Sequence, residues 1–124
     1  MKNTSVEIPT LVRIKAGALD RLGIYARRSE FRNIVLLSST GLPESILQRT
    51  AAALREQNIE VLQHVDVNSS SYEQAQEIFK ALPLSTSAVI GLGGGKALDV
   101  AKYVTFLMRL PYIAVPTSLS NGNL

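Results

Sequence analysis

The sequence contains no cysteine, which excludes disulfides and thiolate chemistry and fits an intracellular protein. It contains a single histidine, His64. A multi-histidine metal site therefore cannot be assembled, the neighbouring residues supply no ligand cluster, and His64 is expected to be structural or at the surface. No apolar run approaches the roughly 20 residues needed to cross a bilayer. The opening Met1-Lys-Asn-Thr-Ser leads into a polar, alternating stretch with none of the features of a signal peptide. A soluble, cytoplasmic protein with no membrane partner is the expectation. Charge of one sign is not concentrated either: the net charge is +3, and Arg27, Arg28 and Arg32 form the densest cluster. No aromatic residue interleaves them, so a solvated surface is expected and nucleic acid is not an expected partner.

At 124 residues and 46% apolar content, the chain suits one domain with a core of its own. Residues 6–15 read as an extended piece. Pro9 makes its first half an edge or irregular lead-in, and Leu11, Val12 and Ile14 pair as a hairpin or edge strand. Residues 18–27 suit a short helix with Leu19 and Leu22 on one face. Residues 33–38, unbroken apolar from Ile34 to Leu37, have the pattern of a parallel strand buried on both faces. Ser38, Ser39, Thr40 and Gly41 then make its exit loop. Residues 43–57 read as a helix: Pro43 suits the first turn, Glu44 complements the positive end, and Asn58 provides a left-handed stop. Its buried stripe is Ile46, Leu47, Thr50, Ala51 and Leu54. A looser strand spans 59–67. Ser70 and Glu73 have capping-box spacing, and the helix they open buries Ala75, Ile78, Phe79 and Leu82 before Pro83 stops it.

Residues 88–91 read as a buried strand that enters a run of glycines and leaves into a helix over 96–109. Glycines let a backbone approach an anion closely, and the free N–H groups of a first helical turn point at it. The stretch is not a Walker A loop, because Ile90 and Ala97 stand where that pattern needs Gly and Ser or Thr. It is not the common dinucleotide fingerprint either, because Lys96 stands in place of the last glycine. The backbone of Gly94, Gly95 and Lys96 is expected to contact a pyrophosphate, with Lys96 adding charge. The following helix is apolar around most of its circumference. Asp99, Lys102, Thr105 and Arg109 leave a narrow polar stripe, so it should be covered on more than one side. Residues 112–116 make the last strand, with an exit loop over 117–120. Strands alternating with helices of ten to fifteen residues predict a parallel sheet with helices on both faces.

The motif GGGKALDVAK at 93–102, followed by PYIAVPTSLS at 111–120, resembles the iron-containing alcohol dehydrogenase superfamily, in its glycerol-1-phosphate and glycerol dehydrogenase branch. A dehydroquinate synthase is similar but usually shows Ala-Gly where this chain has Ala101 and Lys102. The resemblance implies an α/β fold: a Rossmann-like three-layer αβα domain with a mostly parallel sheet, the N-terminal domain of a dehydroquinate synthase-like fold. It implies that residues 1–124 form the NAD(P)-binding domain, with Asp99 and Ser118 among the cofactor-binding residues and Thr117 and Ser120 lining the cofactor near its nicotinamide end. An acidic residue after the strand at 33–38 holds the ribose in NAD-selective relatives. Here Ser38 and Ser39 supply hydroxyls alone, so NADP is expected at least as readily as NAD.

The resemblance stops short of a complete enzyme. In the glycerol-1-phosphate branch an aspartate that contacts substrate stands where this chain has Gly122. The family's metal ligands for zinc or iron lie further along a full-length enzyme, in a helical domain beyond these residues. The chain is therefore expected to be non-catalytic alone. Three readings stay open: the cofactor domain of a polyol or polyol-phosphate dehydrogenase awaiting a complementing C-terminal domain, a free-standing nucleotide-binding module, or an oligomerising remnant that pairs with its own copies.

Overall fold

The computed structural model describes residues 11–69 and 71–117. Strands β1 (Leu11–Arg13), β2 (Asn33–Ser39), β3 (Glu60–Val67), β4 (Ala88–Gly93) and β5 (Tyr112–Pro116) form one sheet. Their spatial order is β1-β5-β4-β2-β3, and every pairing is parallel. Helices α1 (Leu22–Arg28), α2 (Glu44–Glu56), α3 (Tyr72–Ala81) and α4 (Gly95–Met108) connect them. Parallel neighbours need crossovers, and the helices supply them on both faces.

The period-two alternation of the central strands divides the core. Ile34 and Leu36 of β2, Ile90 and Leu92 of β4, and Ile113 and Val115 of β5 pack with Leu19, Leu22 and Leu54. Val35, Leu37, Val89, Tyr112 and Ala114 pack on the opposite face with Ile78, Val100 and Val104. The three central strands are thus apolar on both faces, as their unbroken hydrophobic runs predicted.

Several elements differ from expectation in instructive ways. Of the two readings of the N-terminal piece, the edge strand is the one found among the described residues: β1 runs parallel to β5, Leu11 opposite Tyr112. The helix expected over 18–27 is two pieces, a 3-10 segment Ala16–Arg21 kinked at Ala18, then α1. In α2, Ala51 is exposed and Ala53 takes its place in the stripe. Positions 46, 47, 50, 53 and 54 keep one helical face, which position 51 leaves. Ser70 lies outside the described residues. The α3 N-cap is Ser71, whose hydroxyl accepts from Gln74 N–H at 3.1 Å, and Phe79 is half-buried. β4 continues to Gly93, two residues past its predicted end.

Helix α4 is covered by the sheet and, alongside, by α3, where the Tyr72 and Tyr103 ring centroids are 5.6 Å apart, and among the described residues its remaining face is open. Ala97, Val100, Ala101, Val104 and Thr105 are buried, whereas Phe106 is 76% exposed. Thr105, expected in the polar stripe, is buried because its hydroxyl donates to Ala101 C=O at 3.0 Å and Lys102 C=O at 2.9 Å. Three helices close with the same paired backbone bonds around a left-handed non-glycine residue: Glu30, Asn58 and Arg109. Asn58 was legible as such a stop; Glu30 and Arg109 were not, because neither residue type favours that conformation.

Helices α1 and α2 meet at Gly23. A Cβ there would lie 2.0 Å from the Ala53 carbonyl oxygen, a backbone atom that cannot step aside. Gly23→Ala is expected to lower unfolding free energy by about 1–3 kcal/mol, the usual penalty of overpacking. Gly17→Ala, with nothing among the described residues within 4 Å of its Cβ position, should leave stability unchanged or slightly raised. Denaturant melts of the two variants check the contrast.

Candidate functional site

From β2 the chain passes to β3 on one side, then crosses back to β4 and β5 on the other. Helices leaving β2 and β4 pack on opposite faces. The carboxyl ends of these two strands therefore open a crevice at the point where strand order reverses, the usual ligand position in such sheets. The crevice is a shallow cleft of about 260 Å3. Ser39 and Thr40 line it from the end of β2, Val67 and Asn68 from β3, and Gly94, Gly95 and Lys96 from the turn after β4.

Each glycine of the turn has a different reason to be there. Gly93 has φ +134°, and a Cβ on it would sit 2.1 Å from Ser39 Oγ. Backbone conformation and packing both demand glycine. Gly94 is the N-cap of α4 in extended conformation, φ −89° and ψ −169°. Its N–H donates to Ser39 Oγ at 2.8 Å. On the other side of the turn, Thr117 N–H donates to Gly93 C=O at 3.0 Å. The glycine turn is thus held by both neighbouring strands.

Gly95 is different. It is in the first turn of α4, and nothing among the described residues lies within 4 Å of its Cβ position. Neither its conformation nor packing among the described residues requires glycine there, and alanine would favour the helix. Gly95 itself lines the cleft. The N–H groups of Gly95, Lys96 and Ala97 precede the first helical bond, which runs from Leu98 N–H to Gly94 C=O at 3.1 Å. They and the positive end of the helix dipole face the cleft end of α4.

The predicted residues divide accordingly. Ser39, Gly94, Gly95 and Lys96 come together at the cleft. Asp99 is exposed one turn further along α4 and does not line the cleft. Its charge bears instead on Tyr112, where burial first, and Asp99 third, raise the phenol above its ordinary pKa while Arg13 opposes them. Thr117 meets the turn through its backbone. Ser118 and Ser120 lie outside the described residues.

Ser38 was expected in the exit loop. It is instead inside β2, 2% exposed, and shares a 2.7 Å hydrogen bond with His64 Nε2. Strand alternation turns it to the face opposite Ser39, so it cannot reach the cleft.

Thr40, read from the sequence as part of the exit loop, joins the cleft; Asn68 and Asp66 were not foreseen near it. Thr40 Oγ1 donates to Asp66 Oδ2 at 3.0 Å and to Val67 C=O at 3.3 Å. A carboxylate therefore stands beside the end of β2 although β2 and its loop contain none. The parallel register sets Ser38 opposite Asp66 and Ser39 opposite Val67; a correct guess that β2 and β3 are neighbours would have found it. Among the described residues no group of three or more His, Asp or Glu side chains is placed to hold a metal ion, and no helix is long and apolar enough to cross a membrane.

A sequence profile described as iron-containing alcohol dehydrogenase matches residues 13–122. The chain belongs to that family. Among curated members, it is 33% identical over 115 residues to a glycerol-1-phosphate dehydrogenase [NAD(P)+] of Thermofilum pendens, covering 93% of this chain and 33% of that protein. It is 28% identical over 104 residues to glycerol dehydrogenase 1 of Schizosaccharomyces pombe, covering 84% and 23%. The crystal structure of a Schizosaccharomyces pombe glycerol dehydrogenase superposes with a TM-score of 0.69 over 92% of this chain and 30% of its own, at 24% identity. An iron-containing alcohol dehydrogenase from Corynebacterium glutamicum gives 0.70 over 97% and 33%, at 20% identity. At these identities the two structures speak for the fold. The chain spans about a third of the length of the glycerol-1-phosphate dehydrogenases it matches, corresponding to the N-terminal region of that dehydrogenase family.

Gly93→Ala tests whether the family's glycine turn is held as described. The positive φ and the contact with Ser39 together should cost more than about 2 kcal/mol. A melt showing less than half that loss would mean that the turn relaxes at little cost.

Proposed function

We propose that this chain is the NAD(P)-binding part of a metal-dependent polyol or polyol-phosphate dehydrogenase, of the glycerol-1-phosphate dehydrogenase type. The observation that carries the reading is Gly95, a glycine that the fold does not need, at a helix N-terminus facing a cleft. Close approach of a bulky anion accounts for it. In this reading the pyrophosphate accepts from the N–H groups of Gly95, Lys96 and Ala97. Gly94, whose own N–H is engaged by Ser39, contributes by lacking a side chain, and the Lys96 ammonium adds charge. Ser39 holds the turn in place. Asp99, Thr117, Ser118 and Ser120 are assigned to the nicotinamide side, with Thr117 already joined to Gly93.

When bound, a nicotinamide supplies hydride acceptance or donation; this chain's residues bind and orient it. The cleft's roughly 260 Å3 falls short of the ≈ 300–1,000 Å3 typical of small-molecule sites. It suits a pyrophosphate and an adjoining sugar, and the rest of the ligand calls for walls from elsewhere. No metal-assisted step is assigned to these residues. Binding without turnover is the activity proposed for the isolated chain.

Cofactor choice turns on Asp66. Asp66 does not itself line the cleft, but its carboxylate is held by Thr40, which does. A ribose reaching past Thr40 would meet an acceptor there and a 2′-phosphate a repelling charge, so we favour NAD where the hydroxyl-rich loop left NADP expected at least as readily.

Calorimetric titration with NADH and with NADPH tests both points. Gly95→Ala is expected to leave the melting temperature unchanged or raised while weakening both nucleotides at least about tenfold. Equal affinity in this variant, or no binding by a folded parent chain, would refute the cofactor reading. Asp66→Asn should shift the NADH-to-NADPH affinity ratio toward NADPH by about tenfold. A ratio that stays put would show Asp66 to be remote from the ribose.

A further inference from the structure

A second concave surface lies on the other side of the sheet's reversal point, between the edge strand β1 and helix α1. It has a volume of about 290 Å3. Arg21, Ile24, Tyr25 and Arg28 contribute one wall; Arg13, Ile14 and Lys15 contribute the other. The spacing 21, 24, 25, 28 is a single helical face, opposite the buried Leu22, Gly23 and Ala26. Because Gly23 locks α1 against the Ala53 carbonyl, this face is a rigid platform.

The groove is cationic at its rim and apolar along its floor. Among the described residues that line it, four are basic and none is acidic. Some of this charge has an ordinary explanation. Arg28 complements the negative end of α1, and basic residues on β1 discourage edge-to-edge pairing. Arg21 closes the 3-10 segment Ala16–Arg21 and leads directly into α1. The acid next to it in sequence, Asp20, is turned to α2, accepting from Arg49 Nε at 3.3 Å. Among the described residues no ion pair reaches the four groove cations. The floor is equally unusual for a surface: Ile24 is 40% exposed, and Tyr25 is fixed edge-on to Phe31, centroids 6.4 Å apart at 66°.

We infer that this groove binds an acidic, extended polypeptide segment. Positions 21 to 28 span about 10 Å along the helix, the length of about three residues of extended chain. In a strand that alternates apolar and acidic residues, the apolar side chains face Ile14, Ile24 and Tyr25. The long arginine and lysine side chains reach over the strand to its carboxylates from both walls. A lone phosphate would satisfy cations at one end and leave the floor wet, so the combination of rim and floor favours the peptide. This surface is separate from the glycine turn, and its assignment stands or falls without the cofactor reading.

The test is titration of the 124-residue chain at low ionic strength with the acetylated and amidated pentapeptide ELELE, followed by backbone amide shifts and by calorimetry. The largest shifts are expected at Ile24, Tyr25 and Arg28, with residues 94–96 unmoved. The double variant Arg21→Glu, Arg28→Glu should weaken binding more than about tenfold, and Ile24→Ser about threefold or more. All three positions are exposed, so melting temperatures should hold. Failure of the pentapeptide to bind would overturn the proposal. So would shifts centred on 94–96, or an Ile24→Ser affinity equal to the parent's, which would mark charge attraction without a groove. Tighter binding of a DNA duplex or of anionic phosphatidylserine vesicles than of the peptide would overturn it too.

Discussion

The contact between Ser39 and the glycine turn is the constraint on which the arrangement of the site rests. β2 and β4 are neighbours in the sheet, yet their following helices leave on opposite faces, so the strand ends must diverge and still be tied. The tie is the hydrogen bond from Gly94 N–H to Ser39 Oγ, made in the space that Gly93 leaves by having no side chain. Alternation along β2 turns Ser39 toward the α4 face and the neighbouring Ser38 away from it, where Ser38 meets His64. Two adjacent serines thus have unrelated roles for the simple reason that side chains on a strand alternate.

The same logic secures the first half of α4. Tyr112 of β5 reaches beneath the helix and donates its hydroxyl to Leu98 C=O at 2.9 Å. Its ring passes Gly91, where a Cβ would come within 3.0 Å of it. With Ala97, Val100 and Ala101 buried against the sheet, the N-terminal end of α4 is aimed by contacts to β4 and β5 and through Ser39 to β2. A helix dipole and the first-turn N–H groups are useful to an anion when their direction is fixed, and here it is fixed by Ser39 at the cleft and by Tyr112 beneath the helix. The outward side of α4 carries no such constraint, which is consistent with Phe106 standing in solvent.

Much of the fold was readable because its signals are local. Unbroken apolar runs within 33–38 and 88–91 announced strands buried on two faces, and amphipathic spacing announced the helices between them. Pro43 and Asn58 marked the limits of α2 closely. The errors arose where neighbours in space decide. Ala51 lost its place to Ala53 because α2 rotates to meet α1. Thr105 entered the core because its hydroxyl found backbone partners, and the α3 cap moved to Ser71 because its hydroxyl is the one facing Gln74 N–H.

By itself the sequence determined the glycine turn, the alternation of strands and helices, and the family likeness, since all three depend on residues close together in the chain. The tertiary structure alone decided which glycines the fold requires, which serine faces the cleft, and that an acid is joined to Thr40 at the end of β2. Asp66 is 26 residues from Thr40 and reaches it because β3 lies next to β2. The cationic groove likewise joins β1 to α1 across a kinked connection whose direction local propensity does not encode. Strand order and helix rotation are set by the packing of the whole core, and residues distant in sequence become one site once that packing is complete.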